Sequence, residues 1–123
     1  MVVGYLLGTF DMLNIADLDV IAQARSRSSR LVLGVHTDEA ARLLAGLPPV
    51  VPLEERLTLL RHVRGVDEVV VHEQTEAAAS AAAVFTVRAD DGGPDAELLT
   101  PRRVSTSAVL RRALEPGAAE DVA

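Results

Sequence analysis

The chain has 123 residues, of which 49% are hydrophobic and 24% charged, and it carries a formal net charge of -6. That length supports one buried core rather than two, and the negative charge excludes a surface devoted to nucleic acid, whose phosphates demand clustered cations. There is no cysteine and all 12 basic residues are arginine, which removes disulfides, thiolate metal sites, a cysteine nucleophile and a catalytic lysine together.

Residues 2–7 form a short apolar run closed by Gly8, the signature of a strand buried on both faces inside a parallel sheet. Ile15, Leu18, Ile21 and Ala22 then recur at helical spacing until the polar residues 26–29. Residues 31–35 repeat the buried-strand pattern, and residues 45–51, with Pro48 and Pro49, read as a loop. A helix with Leu57, Leu60 and Val63 on its apolar stripe leads to a third strand over 69–71. Alanine-rich residues 76–83 predict a helix, residues 83–87 a fourth strand, 90–94 a loop and 97–99 a short fifth strand. Ser105 predicts the N-cap of a last helix running through Leu114. The folded domain is thus expected over 1–114, with 115–123 an acidic tail that frays.

Strands alternating with helices predict right-handed crossovers and a parallel sheet covered on both faces, with ligands at the carboxyl ends of the strands. The loops starting at Gly8, His36, His72 and Arg88 are therefore where a site belongs. No apolar run reaches the length of a membrane span, and no basic segment precedes a hydrophobic one at the N-terminus, so a cytoplasmic protein without membrane partners is expected.

Gly8-Thr9-Phe10-Asp11 follows the first strand directly, where a glycine lets backbone approach a ligand and the next helix offers its N-terminal amides to an anion. Further along stand Val35-His36-Thr37-Asp38-Glu39, Glu55-Arg56, Val66-Asp67-Glu68-Val69 and Ser105-Thr106-Ser107. In this order and at this spacing, these segments resemble the cytidylyltransferases typified by glycerol-3-phosphate cytidylyltransferase, over nearly the whole chain.

The resemblance implies an α/β fold, the three-layer Rossmann-like (HUP-type) nucleotidyltransferase fold with a parallel five-stranded sheet in the order 3-2-1-4-5. It implies a reaction in which CMP passes from CTP to a phosphorylated alcohol and pyrophosphate leaves, with Mg²⁺ if the enzyme is active. By the same resemblance, Gly8, Thr9, Phe10 and Asp11 frame the nucleotide and Ser105, Thr106 and Ser107 meet phosphate at the last helix. Asp38, Arg56 and Arg64 match nucleotide-site positions, and Asp90-Asp91 resembles a Gly-Asp-Asp segment near the base. A dimer, of the chain with itself or with a paralogue, is also implied.

The departure lies in the motif that does the family's chemistry, His-x-Gly-His at the first helix, which here reads Asn14-Ile15-Ala16-Asp17. The family's two imidazoles hold charge that grows on the transferring phosphate, and losing one such donor typically costs ~10²–10³ in rate. Asn14 and Asp17 read most simply as helix caps. The sharper reading makes Asp17, with Asp11 or Asp19, a Mg²⁺ ligand. Two functions follow: a nucleotide-binding domain whose catalysis is impaired, or an active nucleotidyltransferase moving CMP to an acceptor such as glycerol 3-phosphate. His36 reads as a surface residue, with a ligand role as the lesser reading. Arg102 and Arg103 lie near the last helix, where phosphate has use for them.

Overall fold

The computed structural model describes residues 2–73 and 80–114. In chain order the elements are β1 (Val3–Gly8), α1 (Ile15–Ser26), β2 (Arg30–Val35), α2 (Asp38–Ala45), α3 (Leu53–Leu60), β3 (Glu68–Val71), β4 (Ala83–Thr86), β5 (Glu97–Leu98) and α4 (Thr106–Ala113). The five strands form one sheet in the order β3-β2-β1-β4-β5, and every neighbouring pair is parallel. β1 is central because it is apolar throughout: five of its six residues are buried, as suits a strand covered on both faces. Its carboxyl end lies between those of β2 and β4, with Gly8 level with Val35 and Leu7 level with Thr86. The strand order reverses there, and the crevice at such a point is where open α/β sheets place ligands.

The larger core packs Val20, Ile21 and Ala24 of α1 and Leu57 and Leu60 of α3 against Leu6, Leu31, Leu33, Val35 and Phe85 of the sheet. The smaller one, on the other face, consists of Tyr5, Leu7 and Val32, with Val3, Val70, Ala81 and Val84 packed on it. Among the described residues, no helix is long and apolar enough to cross a membrane.

The structure corrects two expectations and adds one helix. α1 buries Ala16, Val20, Ile21 and Ala24, whereas Ile15, Leu18 and Ala22 of the expected stripe are exposed. The segment is apolar around most of its circumference, so helical periodicity does not single out one face. Secondly, α2 is a helix the apolar pattern does not announce. It is marked by its caps: Thr37 accepts from the Ala40 amide, and Gly46 closes it in the left-handed conformation at φ 83°. Thirdly, His36 is buried rather than on the surface. Of the helix expected over 76–83, residues 76–79 lie outside the described residues, Ser80 is helical and residues 81 and 82 lead into β4. The expected tail, 115–123, also lies outside them.

Candidate functional site

The turn from β1 into α1 is tightly wound. Phe10 and Met12 both sit at positive φ, 54° and 52°, a conformation that residues with side chains adopt only when surroundings hold them there. A Cβ on Gly8 would lie 2.9 Å from the Phe10 ring, so the glycine is what lets that ring fold back over the strand end. Asp11, nearly fully buried, accepts from the amides of Val50 and Val51, each at 2.8 Å. Its two carboxylate oxygens thereby clip the α2–α3 loop to the turn.

Arg56 performs the same service, and its side chain is 0% exposed. Nε donates to the Val51 carbonyl, Nη1 to the carbonyls of Thr9 and His36, and Nη2 to Asp38. One guanidinium thus ties three loops at the carboxyl edge of the sheet, using the planar fork that only arginine offers.

At the mouth of α1, Asn14 Oδ1 accepts from the amides of Ala16 at 2.9 Å and Asp17 at 3.4 Å. The Asp17 carboxylate accepts from the Asn14 amide at 3.2 Å. This is a complete capping box, in which amides that would otherwise point at an anion bond to the protein's own side chain.

These parts enclose a cavity of about 400 Å³. Its lining combines Gly8, Thr9, Phe10, Asp11 and Asp17 of the turn and of α1, Val87, Arg88 and Asp91 from the segment after β4, the apolar residues Ala41, Ala45, Leu47, Pro48, Pro49 and Val50, and Leu114. Arg88 donates to the carboxylate of Asp90 and to the carbonyl of Leu44.

Behind the Asp91 wall runs a polar chain. His36 Nε2 donates to Asp91 at 2.7 Å with both side chains at or below 10% exposure. The His36 ring meets His72 edge-on with centroids 5.5 Å apart, and His72 Nδ1 shares a 2.8 Å hydrogen bond with the Tyr5 hydroxyl. The Tyr5 ring lies over Gly34, where a Cβ would come within 1.9 Å of the hydroxyl oxygen. Burial pushes the Tyr5 hydroxyl up to about 12. Burial, with the neighbouring His36, also holds His72 below the ordinary imidazole range, against the opposing pull of Asp91.

A family model described as cytidylyltransferase-like matches residues 5–112, which takes in the turn, the cavity lining except Leu114 and the last helix except Ala113. The chain belongs to the cytidylyltransferase-like family. It is 42% identical over 66 residues to ethanolamine-phosphate cytidylyltransferase of Arabidopsis thaliana, covering 54% of this chain and 15% of that protein. It is 36% identical over 69 residues to FAD synthase of Pyrococcus abyssi, covering 56% of this chain and 47% of that one. With the bifunctional protein HldE of Halorhodospira halophila it shares 37% identity over 87 residues, 70% of this chain and 18% of the relative. The matched segments thus span less than half the length of each of these relatives. Among solved structures, the lipopolysaccharide core biosynthesis protein of Thermoplasma volcanium superposes with a TM-score of 0.62 at 20% identity, over 69% of this chain and 73% of that one, a likeness of fold.

Within this cytidylyltransferase-like domain, Gly8, Thr9, Phe10, Asp11, Asp17 and Asp91 meet at the cavity, and Arg56 and Asp38 bond to each other beside it. Asn14 caps α1 at the mouth, and Asp90 stands outside, paired with Arg88. Arg64 borders a separate groove shared with Leu18, Ile21 and Ala22 of α1. Ser105 is buried just ahead of α4, whose first residues are Thr106 and Ser107. Arg102 is bound to Asp19, which accepts from its backbone amide at 2.7 Å and from its guanidinium at 3.1 Å. The amides of Arg102 and Gln23, followed by that guanidinium, hold the Asp19 carboxyl down to about 2. Among the described residues, no three His, Asp or Glu side chains converge where a metal ion could be held, and both Asp11 oxygens and Asp19 are already engaged.

Sequence reasoning did not single out Arg88, the His36–Asp91 pair, His72 or Tyr5 as one arrangement. Arg88 was within reach, because it stands two residues ahead of Asp90 at a strand exit. The polar chain was not, since its members lie 55 and 67 residues apart.

Proposed function

We propose that this domain binds a nucleotide in the cavity between the β1–α1 turn and the loop after β4, and that it does not carry out nucleotidyl transfer. The family's reaction needs positive or neutral donors aimed at the phosphate on which charge grows. The observation that carries the reading is the capping box: Asn14 and Asp17 occupy each other and the first amides of α1. The self-capped helix end leaves a carboxylate where the reaction requires a donor. The framing residues Gly8 to Asp11 keep their shape because Asp11 and Arg56 hold the surrounding loops, so binding and chemistry separate in this chain. A nucleotide partner, CTP or another base, follows from the family, whose members here include a protein named a cytidylyltransferase and one named an FAD synthase.

The test is pyrophosphate release with CTP or ATP, Mg²⁺ and a panel of phosphorylated acceptors that includes glycerol 3-phosphate and ethanolamine phosphate. The expected result is no release above the protein-free rate. Turnover on the order of 1 s⁻¹ or faster, the ordinary scale of enzymes, overturns the non-catalytic part of the reading.

A further inference from the structure

We infer that the cavity takes the nucleoside part of a nucleotide and discriminates against its phosphates, so that within one base series the uncharged nucleoside binds more tightly than the triphosphate. The inference rests on the nucleotide-binding reading and sharpens it to a ligand class.

Three independent observations point the same way. The first is the α1 terminus, where the Ala16 and Asp17 amides already bond to Asn14 Oδ1; a phosphate can use them only by displacing that side chain and losing the cap. The second is charge. Asp11, Asp17 and Asp91 line the cavity, and the guanidinium among its described lining residues, Arg88, already bonds to Asp90 and to the Leu44 carbonyl. The nearby Arg56 is fully buried, with its donors on Val51, Thr9, His36 and Asp38. Bringing a polyanion into this field is repulsive, whereas a neutral molecule avoids the penalty.

The third observation is the apolar part of the lining. Ala41, Ala45, Leu47, Pro48, Pro49 and Val50 present apolar surface to the space, and Asp11 fixes two residues of that loop in place through their amides. A planar base packs against such a wall through dispersion and removal of apolar surface from water. Asp17 and Asp91 line the same space, and a carboxylate accepts from ribose hydroxyls and exocyclic amines, donors a nucleoside has and a phosphate lacks. The cavity, about 400 Å³, is of the size that small-molecule pockets commonly have.

Calorimetric titration of the intact chain with cytidine, CMP and CTP, and in parallel with adenosine, AMP and ATP, tests this without added metal and at low salt. In the series that binds, affinity is expected to fall with each phosphate, by about tenfold or more from nucleoside to triphosphate. Added salt is expected to narrow that gap, because it screens repulsion. In Asp17→Asn, whose side-chain oxygen can still accept from the Asn14 amide, the triphosphate is expected to gain more than the nucleoside. Should that variant fail to fold, the salt dependence of the unaltered chain decides the same point. A triphosphate that binds as tightly as its nucleoside overturns the inference and leaves the nucleotide reading standing. Binding by no member of either series overturns both.

Discussion

The two faces of the sheet are built from different chemistry. On the face covered by α1 and α3, Leu6, Leu31, Leu33, Val35 and Phe85 meet aliphatic side chains, and every residue of the cluster is an ordinary hydrophobe. On the other, Tyr5 lies over Gly34 and reaches His72, which meets His36 and, through it, Asp91 at the cavity wall. The first face earns its place by removing apolar surface from water. The second spends burial on polar groups, which is tolerable only because each has a partner. The contrast separates what specifies the fold from what shapes the site: loops at the carboxyl edge are anchored by the polar face and by Arg56 and Asp11, and the sheet itself by the aliphatic one.

The aliphatic face is most sensitive to truncation at Leu33, which is 0% exposed. Leu33→Ala removes methyl groups from the centre of the aliphatic cluster and is expected to lower unfolding free energy by roughly 2–5 kcal/mol, read from urea melts with the slope unchanged. A loss under about 1 kcal/mol would mean that the face is not close-packed there.

A smaller effect is expected from acid on the polar face. The pKa of His72 is lowered in the fold by burial and by His36, so the unfolded chain takes up a proton near pH ~6.5 that the folded chain resists. Its contribution is complete above that pH and is lost as pH falls below it. Urea melts from pH 7.5 to 5.5 should therefore show a stability loss that His72→Gln reduces. An equal loss in both would assign the acid sensitivity to other groups.

The strands were legible in the sequence because buried parallel strands are nearly continuous apolar runs, and the five expected ones all appear within a residue or so of their ends. The resemblance supplied the strand order, and the sheet has it. α1 was legible as a helix but not as a face, since its apolar residues surround it, and the choice of buried side is made by packing on Leu6 and Leu31. In the site, the identities of Gly8, Asp11 and Arg56 stood out while their partners did not: Asp11 reaches amides 39 and 40 residues away, and Arg56 a carbonyl 47 residues back. Spacing along a chain reports local periodicity, and contacts of that span are set by topology. The Asn14 and Asp17 caps were readable because a capping box is a local motif.

On the reading proposed above, the mouth of α1 faces the phosphate position and its own side chains keep phosphate out. Calorimetric titration of CTP into the unaltered chain and into Asn14→His with Asp17→His, both verified as folded by circular dichroism, addresses it directly. Replacing an amide and an acid by two imidazoles is expected to tighten CTP binding by about tenfold or more. An identical CTP affinity in the two proteins would place the phosphates elsewhere and overturn that reading.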